Sequence, residues 1–301
     1  MRGPWIGVPL VVLGAAAVVI VLVTGVLSDG GVRSASPGGT VASTAPTTTT
    51  LVPITSPDQL AAPTGAADTA AELAAVERGL RTADRDPARL TTLGWRQQLA
   101  YGALSNHPDW LADVLGVLPD DVRPIVTANH DASTALSSPD LGPTPTSLPD
   151  WTILTPPAVD VLLADYREAE AGSGVPWPYL AAIHFVETRM GRIHGNSSAG
   201  AQGPMQFIPS TWAAYGQGGN VNDDHDAIIA AGRFLAAHGG PGDMDRALFA
   251  YNPSTSYVAA IDAYAGLMRA DARAYDGYYW WQVYATTTSG TVRLPEGWHR
   301  T

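Results

Sequence analysis

Apolar residues recur at helical spacing over most of the chain after residue 66. Within residues 66–81, Leu73, Val76 and Leu80 lie three and four positions apart, which places them on one helix face. Prolines near helix starts and a Gly-Gly pair at residues 239–240 mark further boundaries. The pattern predicts additional helices at residues 86–104, 107–118, 120–136, 157–172, 176–190, 226–238, 244–251 and 257–275.

The helical pattern is interrupted twice. Residues 137–149 are rich in Pro, Ser and Thr and predict a loop between a helical N-terminal part, 66–137, and a second part, 150–301. Farther along, residues 279–284 and 292–294 flank a Thr-Ser-Gly turn and have the composition of strands. The chain is therefore predicted to be mainly α, with a small C-terminal β-hairpin.

The N-terminus has the composition of a membrane segment. Residues 3–28 contain no charged side chain and exceed the roughly 20 apolar residues that span a bilayer. Arg2 precedes them and Asp29 follows, so residues 1–28 are predicted as a cytoplasmic N-terminus and transmembrane anchor, with the remainder outside. A cleaved signal peptide is the alternative, although its apolar region is usually shorter. Both interpretations export the rest of the chain.

Residues 29–65 are dominated by Thr, Ser, Pro, Gly and Ala. Such a segment buries too little apolar surface to offset the entropy lost on ordering, so it is predicted as a disordered linker. The folded domain is then residues 66–301.

Charge and cysteine content exclude several classes of function. The net charge of −11 argues against nucleic-acid binding, which needs a basic surface to neutralise phosphates. The absence of cysteine excludes disulfides, thiolate metal sites and a cysteine nucleophile. The expected ligand is therefore neutral, or is not selected by charge.

Glu187 is a candidate catalytic acid because its helical neighbours are apolar. It lies four residues after Ile183 and three before Met190, so it shares their face of the predicted helix. Burial raises the pKa of a carboxyl group and keeps it protonated near neutral pH, as a general acid requires. The alternative is a structural acid satisfied by Arg189 or Arg192. The glutamates predicted to lie on solvated faces are Glu72, Glu77, Glu168 and Glu170.

Polar groups follow this acid along the chain. Residues 194–212 form a Gly-rich run that presents Gln206 and backbone amides. Tyr251, Asn252 and Tyr257 lie near a predicted helix boundary. A single acid together with amide, hydroxyl and aromatic groups is typical of a carbohydrate-binding site.

Four segments together resemble the lytic transglycosylases of the lysozyme-like superfamily, most closely the B-type membrane-bound group and its actinobacterial relatives. The segments are AIHFVETRMGR at 182–192, SSAGAQGPMQFIPSTW at 197–212, DAIIAAGRFLAAHG at 226–239 and AYNPSTSYV at 250–258. They occur in order over about 75 residues, which makes the resemblance more specific than any one of them.

The resemblance implies a role for each matching residue. Glu187 corresponds to the single catalytic acid/base of the family. The implied substrate-binding residues are Ser197, Gln206, Tyr251, Asn252 and Tyr257. One departure is Pro253-Ser254, where many relatives carry Ala-Gly.

The implied reaction cleaves the β-1,4 bond between N-acetylmuramic acid and N-acetylglucosamine in peptidoglycan and leaves 1,6-anhydro ends. Glu187 would protonate the glycosidic oxygen and then accept the proton of the muramyl 6-hydroxyl. Ordinary glycosidases pair two carboxylates, and no second acid shares the Glu187 stripe. No cofactor or metal is implied. The expected partners are peptidoglycan strands, the membrane, and proteins of cell-wall synthesis or division.

Several alternatives stay open at this point. A muramidase would use water instead of the substrate hydroxyl, and a wall-binding scaffold would keep the fold without catalysis. The acidic cluster at residues 223–226 is predicted as a turn with Asp226 as helix N-cap. It lacks the Gly and terminal Glu of an EF-hand calcium loop, so no metal is predicted there. The aromatic residues 278–281 are predicted to pack in the core, the alternative being a sugar-stacking groove.

Overall fold

The computed structural model of the protein describes residues 54–82, 84, 86–138 and 143–300. The predicted membrane segment and most of the predicted linker lie outside the described residues. Among the described residues, no helix is long and apolar enough to cross a membrane. The described part is mainly helical and has a two-stranded hairpin near residue 290, which confirms the predicted fold class at this level.

The helices and strands are numbered in chain order. The helices are α1 Ala66–Thr82, α2 Pro87–Asn106, α3 Leu111–Val117, α4 Arg123–Leu136, α5 Val159–Ser173, α6 Trp177–Thr188, α7 Pro209–Tyr215, α8 Asp224–Ala237, α9 Met244–Tyr251, α10 Thr255–Ala270 and α11 Arg273–Tyr279. The strands are β1 Thr152–Ile153, β2 Ile193–His194, β3 Val283–Thr287 and β4 Gly290–Leu294. Short 3-10 turns occur at Pro57–Gln59 and Pro108–Trp110.

Several element boundaries differ from the predictions for identifiable reasons. α6 ends at Thr188 instead of residue 190, because the backbone turns left-handed at Arg189. The helix predicted at 257–275 is interrupted at Asp271, whose backbone is extended and whose carboxylate accepts the N–H of Arg273. Residues 273–279 then form α11, so the first strand of the hairpin begins at Val283 instead of residue 279.

Helix α6 lies at the centre of the hydrophobic core. Every residue from 178 to 188 is buried, so the helix has no solvent-facing side. It packs against α5, α8, α10 and α11, and α10 in turn packs against α4. Apolar side chains from 66–137 and from 150–301 therefore share one core. A helix that is apolar all round is stable only in such surroundings.

The aromatic residues after α10 pack inside this core, as predicted. Tyr278 and Trp281 are buried, with ring centroids 5.0 and 5.4 Å from that of Phe185 on α6. The hydroxyl of Tyr278 donates to Asn129 on α4 at 2.7 Å. These rings fix α6 against the N-terminal helices and are not available to a ligand.

Glu77 contradicts the prediction that it lies on a solvated face, since only 1% of its surface is exposed. One carboxylate oxygen accepts hydrogen bonds from Gln97 and Tyr101, and the other pairs with Arg81 at 2.5 Å. The indole N–H of Trp281 donates to Gln97 at 2.9 Å. The sequence pattern misses this burial because the partners come from α2 and from the segment after α11.

Replacing Glu77 with Ala should lower the free energy of unfolding by about 3 kcal/mol, because it leaves buried donors unsatisfied and a cation unpaired. Glu72 is the matched control, because it pairs with Arg96 at 2.6 Å in a more exposed position. Its replacement by Ala should cost less than about 1 kcal/mol. Denaturant unfolding followed by circular dichroism measures both values, and equal losses would contradict the role of the Glu77 network.

Candidate active site

A short β-ribbon brings three distant parts of the chain together. β1 pairs with β2 in antiparallel register, with Thr152 opposite His194. Residues 297–299 lie along the other edge of β1, where Ile153 donates its backbone N–H to the carbonyl of Trp298 at 2.8 Å. The sequence pattern predicts neither pairing, because β1 and β2 have two residues each and show no periodicity.

A cavity of about 390 Å³ opens beside this ribbon. Its lining is part apolar, part polar and part charged. The apolar part includes Pro143, Pro145, Leu148 and Trp151. The polar and charged part includes Asn196, Ser197, Gln206, Asp150, Glu187 and Arg300.

The Glu187 side chain reaches this cavity from the last turn of α6. It is 9% exposed, and the Tyr257 hydroxyl donates to its Oε1 at 2.8 Å. Its Oε2 is buried without a hydrogen-bond partner. Burial raises the pKa of Glu187 from 4.5 to about 7, and the hydrogen bond from Tyr257 opposes part of that rise. Such a group can give up and take back a proton near neutral pH.

The two arginines proposed as structural partners of Glu187 have other contacts. Arg189 donates to the carbonyl of Phe185 at 2.9 Å, and its guanidinium lies 4.4 Å from the centroid of that ring. Arg192 donates to the carbonyl of Arg189 and lies 5.0 Å from the ring centroid of Tyr279. The pKa of Glu187 is set by burial and by a tyrosine. The interpretation of Glu187 as one member of a buried ion pair is therefore not supported.

The turn that follows α6 is strained. Arg189 and Met190 have φ values of 56° and 60°, and Gly191 follows with 83°. Non-glycine residues in this region cost about 1–3 kcal/mol each and cluster at functional sites. Thr188 holds the turn, because its hydroxyl donates to the carbonyl of Pro204 at 2.6 Å and accepts the N–H of Gly191. The same bonds attach the turn to the Gly-rich loop.

The Gly-rich loop presents Ser197 and Gln206 to the cavity. The Ser197 hydroxyl accepts backbone N–H groups from Ala199 and Ala201 at 3.3 and 3.0 Å, which closes the loop around it. Gln206 is left-handed, with φ 50°, and its amide donates to the carbonyl of Gly203 at 2.9 Å. The end of the predicted loop, from residue 209, forms the helix α7 instead.

The three remaining predicted residues, Tyr251, Asn252 and Tyr257, are not among the described residues that line the cavity. The Tyr251 hydroxyl donates to the carbonyl of Met205, so it supports the loop from below. Asn252 is buried as the C-cap of α9. Tyr257 contacts Glu187, and Ser254 orients it by capping α10 and accepting its backbone N–H. The Pro-Ser departure from the family pattern therefore supplies a helix cap.

Sequence reasoning misses several groups that line the cavity: the Pro-rich segment 143–149, Asp150, Trp151 and Arg300. The segment has the composition of a domain boundary, and Arg300 lies far from every motif. Trp151 could have been noticed in the sequence, because a large aromatic residue just after a Pro-rich segment is unusual for a linker. The Trp151 ring packs against Gly195, since a Cβ on residue 195 would lie 2.8 Å from that ring.

The acidic cluster near residue 224 lies at the start of α8. Asp223, and not Asp226 as predicted, is the N-cap, and it accepts the backbone N–H of Asp226 at 3.0 Å. Asp226 in turn accepts the N–H of Asn220 at 2.8 Å. Carboxylate and imidazole atoms of Asp223, His225 and Asp226 lie within 4.8 Å of one another, but these residues are partly or fully exposed. None of them lines the Glu187 cavity.

Comparisons of the chain with protein-family models, curated proteins and solved structures gave no match. The residue roles therefore rest on the geometry of the cavity and on the short sequence motifs.

Replacing Glu187 with Gln should stabilise the folded protein above pH 7 and leave its stability unchanged near pH 4. The folded carboxyl group resists ionisation, so the wild type loses stability as the pH rises from 4.5 to about 7. That change in pKa corresponds to about 3 kcal/mol of unfolding free energy. Denaturant unfolding at several pH values measures the difference.

The control is Glu170→Gln on α5, a partly exposed position that should leave the pH profile of stability as it is in the wild type. If Glu187→Gln gives the same stability difference at pH 4 and pH 8, Glu187 does not have a raised pKa.

Proposed function

We propose that this protein is a peptidoglycan lytic transglycosylase with a lysozyme-like helical domain. The observation that carries the proposal is the state of Glu187. One oxygen is held by Tyr257, the other is buried without a partner beside a cavity, and the pKa lies at about 7. A general acid is most effective when its pKa is close to the working pH.

A single carboxyl group then serves both steps of the reaction. Protonated Glu187 donates its proton to the glycosidic oxygen as the bond from that oxygen to the anomeric carbon of the muramyl sugar breaks. The resulting carboxylate accepts the proton of the 6-hydroxyl, whose oxygen forms a bond to the same anomeric carbon. The products are a 1,6-anhydro-muramyl end and a free N-acetylglucosamine end. Glu187 returns to its protonated state without water or cofactor.

The lining of the cavity supports a carbohydrate ligand. Proline and tryptophan surfaces can contact the apolar faces of sugar rings, while Asn196, Ser197 and Gln206 offer groups for hydroxyl and acetamido hydrogen bonds. Tyr251 and Thr188 keep the polar loop in place through the carbonyls of Met205 and Pro204. The mixed lining of the cavity and the fixed polar loop suit a polar, largely uncharged ligand.

One observation favours hydrolysis as a second candidate. Asp150 lines the same cavity as Glu187 and was not foreseen as a second acid. Glycosidases that use water or a covalent intermediate employ two carboxyl groups on either side of the scissile bond. Asp150 would be the base or nucleophile in such a muramidase.

The proposed site of action is the extracytoplasmic side of the membrane. This part of the proposal rests on the uncharged residues 3–28 and on the polar linker that follows them. A tethered domain of this kind would reach peptidoglycan strands and any wall-building proteins near the membrane.

Full-length protein incubated with purified peptidoglycan should release fragments with 1,6-anhydro-muramyl ends, identified by mass spectrometry. Glu187→Gln should slow this release by about 100-fold or more, because the general acid is lost. Glu170→Gln should cleave at the wild-type rate. Release of nothing by the wild type would overturn the enzyme proposal and favour a wall-binding scaffold.

Replacing Asp150 with Asn separates the two reactions. In a lytic transglycosylase Asp150 is not a catalytic group, so Asp150→Asn should lower the rate by less than about tenfold. In a muramidase the same substitution removes the base or nucleophile and should lower the rate by about 100-fold or more. Reducing muramyl ends from the wild type, together with a larger loss in Asp150→Asn, would establish the muramidase instead.

A further inference from the structure

Arg300 is the one basic side chain among the described residues that line the Glu187 cavity. The pairing of residues 297–299 with β1 places it there, next to the Pro-rich segment. Its Nη1 donates to the carbonyl of Leu148 at 2.9 Å. The guanidinium is exposed and belongs to a position that no motif of the sequence marks.

Arg300 keeps most of its hydrogen-bonding capacity. A guanidinium carries five N–H donors, of which the Leu148 carbonyl takes one. Arg300 is in none of the ion pairs formed within the described residues. Other arginines there do form ion pairs, among them Arg78, Arg81, Arg96, Arg123 and Arg293. A guanidinium in a cavity, without an ion-pair partner among the described residues, offers a fork of donors that suits a carboxylate.

The muramyl sugar supplies such a group if the proposed function holds. N-acetylmuramic acid differs from N-acetylglucosamine by a lactyl ether on C3. That ether ends in a free carboxylate on bare strands, and on substituted strands it carries a peptide stem with carboxylates of its own. We propose that Arg300 forms an anion subsite in the Glu187 cavity that binds a carboxylate of this muramyl substituent. The inference rests on the proposed function and names the part of the substrate that this arginine recognises.

Asp150 lines the same cavity, and its charge would repel an anionic substituent that Arg300 attracts.

Binding measurements in a Glu187→Gln background test the subsite without cleavage. The full-length protein is titrated with four glycan probes: strands with peptide stems, the same strands with amidated stem carboxyl groups, strands stripped of stems, and an uncharged chitooligosaccharide. Arg300→Gln should weaken the carboxylate-bearing probes by about fivefold, as expected for a partly exposed ion pair. It should leave the chitooligosaccharide unchanged, and Arg300→Lys should recover only part of the loss, because an ammonium group keeps the charge but lacks the fork of donors. Arg273→Gln, an exposed arginine on α11 outside the cavity, is the charge-matched control.

The probes also identify the source of the carboxylate. A loss confined to stripped strands assigns it to the lactyl group, and a loss confined to stem-bearing strands that amidation abolishes assigns it to the peptide. Equal weakening of all probes, the chitooligosaccharide included, would show that Arg300 only anchors Leu148 and would overturn the subsite. Unchanged affinity for both carboxylate-bearing probes would overturn it as well. If the parent protein binds none of the four, the proposed function falls together with the subsite.

Discussion

A carboxyl group on a helix without a solvent-facing side is the constraint on which the site depends. Burying an ionised carboxylate is costly, and a protein meets that cost by pairing the charge or by keeping the group protonated. At Glu187 the second solution operates, with a single hydrogen bond from Tyr257. That bond requires α10 to lie against α6, and α10 also holds α4. The position of one acid is thus tied to the packing of the whole core.

The same fold contains the other solution. Glu77 is as deeply buried, but an arginine, a glutamine and a tyrosine together satisfy both of its oxygens. Its charge is compensated, and it joins α1 and α2 to Trp281 through Gln97. Glu187 lines a cavity but has one donor, and its second oxygen is buried without a hydrogen-bond partner among the described residues. Burial alone therefore does not distinguish a structural acid from a reactive one; the number of donors does.

Sequence reasoning succeeds here where information is local. Helical periodicity, capping residues and the Gly-rich loop predict most of the helices, the final hairpin and the candidates Glu187 and Gln206, while Ser197 comes from the family resemblance; all three line one cavity. It fails where partners are distant. The prediction that Glu77 lies on a solvated face is wrong because residues of α2, distant in sequence, bury it. Arg300 is missed because the short pairing of residues 297–299 with β1 brings it to the cavity. The hydrogen bond from the Tyr251 hydroxyl to the carbonyl of Met205 is likewise beyond the reach of sequence reasoning, because the two residues are 46 positions apart.

The ribbon has a consequence for the dynamics of the cavity. The pairing of β1 with β2 and with residues 297–299 involves few backbone hydrogen bonds, and its buried residues Ile153 and Ile193 belong to a small apolar cluster separate from the main core. Segments of this kind open locally at much lower free energy than a helical core unfolds. Opening would move Trp151 and Arg300 away while α6 and α10 kept Glu187 and Tyr257 in contact. Amide hydrogens of the ribbon should then exchange with solvent far sooner than those of α6, and a long ligand could enter from the side instead of being threaded.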